Sequence, residues 1–215
     1  MMKQKRSFRL PLLLLAAFAL WTAAVTCVDV QPIGPEGSRV GFGTINGLFH
    51  QWTGVHLLLY ALTDWLSLVP VAFGLGFACL GLAQWIKRGR LSRVDSSLLV
   101  LGGFYLLVLA VYLFFEMVVI NRRPVLLEGM LEASYPSSTT VLVLCVMLTA
   151  AMQVKQRLRS VFRQRLALVV IWAYAVLMVL GRLVSGVHWL SDIIGGVLVS
   201  AGLVTAYGAV CEKVK

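Results

Sequence analysis

Three ionisable side chains, Arg182, His188 and Asp192, fall within eleven residues of an otherwise apolar C-terminal third, in the stretch GRLVSGVHWLSD. Ionisable groups inside membrane-spanning segments cost about 2.5–3.5 kcal/mol each on insertion scales, so they usually mark a site. Asp192 lies four residues after His188. If the chain is helical from the histidine onward, the carboxylate shares its face and holds one ring nitrogen. Arg182 lies six residues before the histidine, across a Ser-Gly turn, and reaches back over the same point. A histidine oriented by a carboxylate, with an arginine beside it, suits a nucleophile that attacks phosphorus. The plainer alternative makes His188 a helix cap and Asp192–Arg182 an inert ion pair. So many charges in so apolar a chain argue against it.

The elements that must position these residues are membrane helices. The chain has 215 residues, 60% hydrophobic and 13% charged, whereas a soluble domain has about 25% charged residues. About 20 apolar residues cross a bilayer as a helix. The apolar runs predict six spans, at roughly 10–30, 66–86, 96–119, 137–154, 166–183 and 190–210. The segment 44–60 predicts a helix lying along the interface, with Trp52 and Tyr60 at headgroup depth. The expected fold is therefore all-α, an integral membrane bundle of six transmembrane helices with an interfacial helix between spans one and two. Residues 1–215 are expected to form a single membrane-embedded domain.

The net charge of +10 does not imply nucleic acid, because of how it is distributed. Lys3, Lys5, Arg6 and Arg9 precede span one, and Lys87, Arg88, Arg90 and Arg93 follow span two. Lys155, Arg157, Arg159, Arg163 and Arg165 follow span four, and Lys213 and Lys215 come last. Fifteen of the 19 basic residues thus share one side, which the positive-inside rule makes the cytoplasm. They read as topology signals and contacts for anionic membrane lipids. Arg39, Arg122, Arg123 and Arg182 remain for the other side, with seven of the nine acidic residues. The predicted site therefore opens outward, with both termini cytoplasmic in the cell membrane. The N-terminal apolar run is expected to stay as an uncleaved first span, since six spans put both basic termini on one side. Cys27, Cys79, Cys145 and Cys211 lack metal-ligand spacing and read as small apolar fillers.

Two further clusters face the outer side. Asn121-Arg122-Arg123-Pro124 follows span three, where planar guanidinium forks can bind phosphate oxygens or simply anchor the interface. Tyr135-Pro136-Ser137-Ser138-Thr139-Thr140 opens span four. Hydroxyl residues after a proline are good N-caps, and the free amides of a helix start form an anion site. Three span ends thus converge on arginines, a helix-start cradle and an oriented histidine.

These residues resemble the type 2 phosphatidic acid phosphatase family, part of the lipid phosphatase and vanadium haloperoxidase superfamily. Its motifs are K-x6-R-P, P-S-G-H and S-R-x5-H-x3-D, on a six-span helical core. Arg123-Pro124 matches the end of the first motif and Pro136-Ser137 the start of the second. Arg182, His188 and Asp192 match the third at full spacing, with Gly181 in place of its serine. The resemblance implies that His188 attacks phosphorus to form a phosphohistidine while Asp192 orients the ring. Arg182, Arg123 and the neighbouring Arg122 would hold the phosphoryl oxygens, and the amides around Ser137, Ser138 and Thr139 would complete the cradle. It implies no metal and no cofactor, since arginines and a helix dipole supply the positive charge.

Two departures bear on chemistry. Glu116 stands where the family has its lysine, and Thr139 where it has the histidine that protonates the leaving group. Glu116 is expected to position an arginine such as Arg122 or Arg182 instead of binding substrate. Losing a general acid typically costs about 10²–10⁴ in rate. An alkoxide needs that proton, but a phosphate leaving from a diphosphate does not, because its second pKa is about 6. The expected function is an outer-leaflet phosphatase for a lipid phosphate or, preferentially, a polyprenyl-type lipid diphosphate. The alternative is a weakened or inactive relative that binds phospholipid headgroups as a scaffold or sensor. A transporter fits poorly, because the charges cluster at one end of the spans. His50 and His56 could replace the missing acid, or sit as polar residues at headgroup depth.

Overall fold

A computed structural model describes residues 8–214. Lys3, Lys5, Arg6 and Lys215, read above as topology signals, lie outside the described residues. Among the described residues eight α-helices follow in chain order: α1 (Arg9–Cys27), α2 (Gly43–Thr53), α3 (Leu57–Leu66), α4 (Leu68–Arg88), α5 (Ser96–Met117), α6 (Ser138–Arg157), α7 (Val161–Val184) and α8 (Leu190–Lys213). Among the described residues there is no β-strand, and six segments are long and apolar enough to span a membrane. The chain is a multi-pass membrane protein.

Two helices form the centre. About 61% of the apolar window of α6 and of α8 is buried, against 22% or less in the other four spans. In lipid, helices associate through close van der Waals packing rather than by expelling water. Accordingly Leu98, Leu101, Phe104 and Val108 of α5 interlock with Val141 and Cys145 of α6 and with Val199, Leu203 and Tyr207 of α8. The outer faces of α4, α5 and α7 keep exposed Leu, Val, Phe and Trp side chains that suit acyl chains. Cys145 and Cys211 are buried fillers as expected, whereas Cys27 and Cys79 are exposed, and none of the four forms a disulfide. At the end opposite the site, Asp95 accepts from Gln84 and pairs with Arg88 at 3.1 Å and Arg157 at 3.2 Å. Two of the predicted topology signals therefore also tie α4, α5 and α6 together.

Span two differs from expectation. It begins at Leu57, nine residues earlier than predicted, and runs through α3 and α4 with a break at Ser67. Pro70 explains the break. It has no N–H to give the carbonyl of Leu66 four residues back, and Tyr174 of α7 donates its hydroxyl to that oxygen at 2.7 Å. The predicted interfacial helix 44–60 is likewise shorter, because α2 stops at Gly54 (φ 70°). The Gly54–His56 linker then packs on the turn between α7 and α8, where the His56 amide donates to the Ser185 carbonyl at 2.9 Å. Gly186 in that turn has φ 71°, and a Cβ there would lie 2.0 Å from the Gly54 oxygen. Gly186→Ala must therefore push the linker away and strain its own backbone, which costs about 1–3 kcal/mol. Expected outcome: a melting temperature several degrees lower in detergent, with activity lost in parallel because His188 lies two residues on.

Candidate active site

The six spans bring the ends of α5, α6, α7 and α8 to one face, and the 118–137 connection lies across them. The arrangement is best built from Asp192. This residue sits in the first turn of α8, where the helix's free amides and dipole favour a carboxylate. Its Oδ2 accepts the Trp189 amide at 3.0 Å and the Ser134 hydroxyl at 2.5 Å, and its Oδ1 accepts Asn121 Nδ2 at 3.0 Å. Asn46 of α2 binds Ser191 beside it, accepting the amide at 3.1 Å and donating to the hydroxyl at 2.9 Å. Asp192 is fully buried and fully satisfied.

His188 is also buried, but it lies outside α8, which starts at Leu190 after an extended Trp189. The i,i+4 geometry expected from the spacing therefore does not form. Nδ1 of His188 stands 3.9 Å from Asp192 Oδ2, beyond hydrogen-bond reach. Ser134 fills the gap, its Oγ 3.0 Å from Nδ1. On the other side of the ring, Nη1 of Arg123 approaches Nε2 at 3.4 Å. Burial, and then Arg123 and Arg182, hold the imidazole well below its ordinary pKa of 6.5, so the ring is neutral.

The two arginines are buried, one paired with the half-buried Glu132 and the other with the exposed Asp64. Arg123 Nε lies 3.0 Å from Glu132, and its amide donates to the Glu132 carbonyl at 3.1 Å. Arg182 Nη2 donates to Asp64 of α3 at 2.8 Å and to Thr139 Oγ1 at 2.5 Å, and its guanidinium stacks 4.7 Å over the Tyr60 ring. Its Nε and Nη1 are buried without a partner. Those unspent donors suit a tetrahedral oxyanion, because buried N–H groups left unpaired are costly.

Ser137 caps α6: its Oγ accepts the Thr140 hydroxyl at 3.0 Å and the Thr140 amide at 3.5 Å. Its own amide is donated to the Asp192 carbonyl at 3.1 Å, so it cannot serve a ligand. The amides of Ser138 and Thr139 have no backbone partner and supply the helix-start cradle. Arg122 is a correction. Its side chain is exposed and donates to the Leu131 carbonyl at 2.9 Å, while its own carbonyl takes the Trp189 indole N–H at 2.7 Å. Alternate residues of an extended strand point to opposite faces, so only one of two adjacent arginines can face the pocket.

Glu116 pairs with no arginine among the described residues. It is exposed and lines a small notch with Tyr112, Ser134 and Ser138. His56 spends its Nε2 on the Thr53 carbonyl at 2.9 Å, and His50 packs against Trp189. Neither hydrogen-bonds to Thr139, Arg182 or His188. The missing serine of the third motif has a steric reason: a Cβ at Gly181 would lie 2.7 Å from the Thr63 methyl of α3. Among the described residues no three His, Cys, Asp or Glu side chains converge as a metal site. Ser134 and Asp64 escaped the sequence reading as site residues, and Asn121 was named only as part of its cluster, with no role. The serine two residues before Pro136 and the asparagine beside Arg122, both close to matched motifs, offered the available signal.

Beside the cradle, a cavity of about 620 Å³ runs between α4, α5 and α6. Leu75, Val108, Leu109 and Leu142 are among its apolar walls, and Ser138 and Thr139 stand at its polar end.

A model of the PAP2 superfamily matches residues 103–213, just over half of the chain. The crystal structure of a transmembrane PAP2-type phosphatidylglycerolphosphate phosphatase from Bacillus subtilis superposes with a TM-score of 0.56 at 21% identity, covering 96% of this chain and 98% of that one. No curated protein sequence matches.

Proposed function

Because this chain belongs to the PAP2 superfamily, we propose that it is a membrane hydrolase of phosphate esters or anhydrides, acting on a lipid phosphate or, preferentially, a lipid diphosphate of the polyprenyl type. The observation that carries this reading is the facing of His188 Nε2 toward Arg123, beside an Arg182 with buried, unspent donors. The apolar cavity ending at Ser138 and Thr139 favours a lipid over a soluble phosphate.

In this reading the phosphoryl group sits between Arg123, Arg182 and the amides of Ser138 and Thr139. The Nε2 lone pair of His188 attacks phosphorus in line, the bond to the leaving oxygen breaks, and its electrons depart with the leaving group. Water then attacks the phosphohistidine, the P–N bond returns its electrons to Nε2, and phosphate carries away the proton. The chemistry is positioning and electrostatics, for which two arginines and a helix start suffice. Thr139 Oγ1 accepts from Arg182, so its own hydrogen is free to bond a leaving phosphate, which it cannot protonate. That favours a diphosphate over a monoester. A catalytically silent headgroup binder is the second reading, favoured by Glu132 and Asp64 already occupying the two arginines.

The decisive assay gives purified protein a panel of lipid mono- and diphosphates with phosphate release as readout. Turnover of diphosphates above monophosphates supports the proposal; binding without turnover supports the silent relative.

The site is proposed to face the outer leaflet, with both termini cytoplasmic, from the charge bias of the connections. A cysteine at Met130 should react with a membrane-impermeant thiol reagent in intact cells, and one at Arg90 should not, with Cys27 and Cys79 first replaced by serine. Both positions are exposed, and neither has the positive φ of the neighbouring Gly129 and Gly89. The reverse labelling pattern would put the site on the inner leaflet.

A further inference from the structure

The contacts around His188 favour one arrangement of hydrogens. A guanidinium has no lone pair to offer, so at the 3.4 Å contact Arg123 is the donor and Nε2 the acceptor. The ring hydrogen is therefore on Nδ1, which donates to Ser134 Oγ at 3.0 Å. The serine hydrogen points onward to Asp192 Oδ2 at 2.5 Å, because a carboxylate only accepts. Donation runs one way, from histidine to serine to aspartate.

We infer that Ser134 is a positioning residue for the nucleophile: its hydroxyl, not the Asp192 carboxylate, holds Nδ1 of His188 and keeps the Nε2 lone pair facing the arginines. This deepens the catalytic reading above and rests on it only for its kinetic consequence. Asp192 cannot take over the task. It is anchored by the Trp189 amide, Asn121 and the start of α8, and its oxygen stays 3.9 Å from Nδ1. Ser134 itself is rigid, being 3% exposed with its amide donated to the Asn121 carbonyl at 2.9 Å. The role of Asp192 is then to orient the serine and to stabilise, through it, the imidazolium that forms when Nε2 is phosphorylated. Without the hydroxyl, Nδ1–H loses its hydrogen-bonded side-chain acceptor and keeps only the weaker pull of the Ser134 backbone, so the ring shifts toward the Nε2–H form that free imidazole side chains prefer. That form places a hydrogen where the attacking lone pair must be.

Ring-15N NMR of histidine-labelled protein in lipid nanodiscs tests this directly. The protein has three histidines, and the His188 signals are those lost in His188→Gln. Wild type should show His188 as the Nδ1–H tautomer, Ser134→Ala should shift it toward Nε2–H, and Ser134→Thr should restore it. On a turned-over substrate, Ser134→Ala should lower kcat by about 10²-fold or more with KM little changed, within the range seen when an orienting partner is removed. Asp192→Asn added to Ser134→Ala should cost little further, since both act on one ring nitrogen. An unchanged tautomer in Ser134→Ala, or additive losses in the double variant, would overturn the inference. A tautomer shift in a protein that turns over no substrate would leave the positioning role standing and sink the catalytic reading.

Discussion

His188→Ala is expected to abolish phosphate release, a loss on the order of 10⁶ in kcat for removal of a covalent nucleophile. The protein should still fold, since His188 precedes α8 and its hydrogen-bond partners, Arg123 and Ser134, both lie in the 118–137 connection and not in a helix. Gel filtration and lipid binding should match wild type. Wild type incubated with 32P-labelled substrate and quenched in alkaline SDS should carry base-stable, acid-labile label, and the variant none. Asp192→Asn should keep residual turnover, because His188 and Ser134 remain while one of the donors converging on the carboxylate loses its acceptor. The pH dependence follows from the buried, arginine-flanked ring. Its pKa is held below 6.5, so the neutral nucleophile persists as pH falls, and the acid limb of kcat/KM should lie below pH 6.5. A fully active His188→Ala protein would end the phosphohistidine mechanism.

The second large effect concerns Thr139. Wild type should favour a diphosphate over the monophosphate of the same lipid tail by a margin approaching the 10²–10⁴ of one general acid. Thr139→His installs the acid, and the 620 Å³ cavity that Thr139 lines offers room for an imidazole. Monophosphate turnover should rise far more than diphosphate turnover, because only an alkoxide gains from the proton. Arg182 loses one hydrogen bond in this variant but keeps Asp64 and the Tyr60 ring, so phosphate binding should weaken only modestly. Equal gains for both substrates would show a reshaped pocket instead of a supplied proton.

Much of this molecule was legible because membranes leave few structural options. A backbone in hydrocarbon must satisfy its own hydrogen bonds, so runs of about 20 apolar residues read directly as helices. All six spans exist, and the span ends bring Arg123, Ser138, Thr139, Arg182, His188 and Asp192 to one face. The errors share a cause. Spans two and the interfacial helix were misjudged because Leu57–Leu66 is as apolar as a span, and only Pro70 and Gly54 set the breaks. Composition measures partition into lipid, not where a helix bends.

Residue types and spacing determined which groups could do chemistry at phosphorus, and which departures from the family pattern matter. Tertiary structure decided which of them touch. Arg122 and Arg123 are equal in sequence, yet one serves a loop carbonyl and the other meets His188. The i,i+4 spacing of His188 and Asp192 suggested direct contact, but α8 begins two residues too late, and Ser134 from a distant loop spans the gap. Asp64, 118 residues before Arg182, is its ion-pair partner. Hydrogen bonds end within about 3.5 Å and depend on angle, so a shift of one residue in a helix start or loop register reassigns them. Periodicity along the chain carries no information at that length scale.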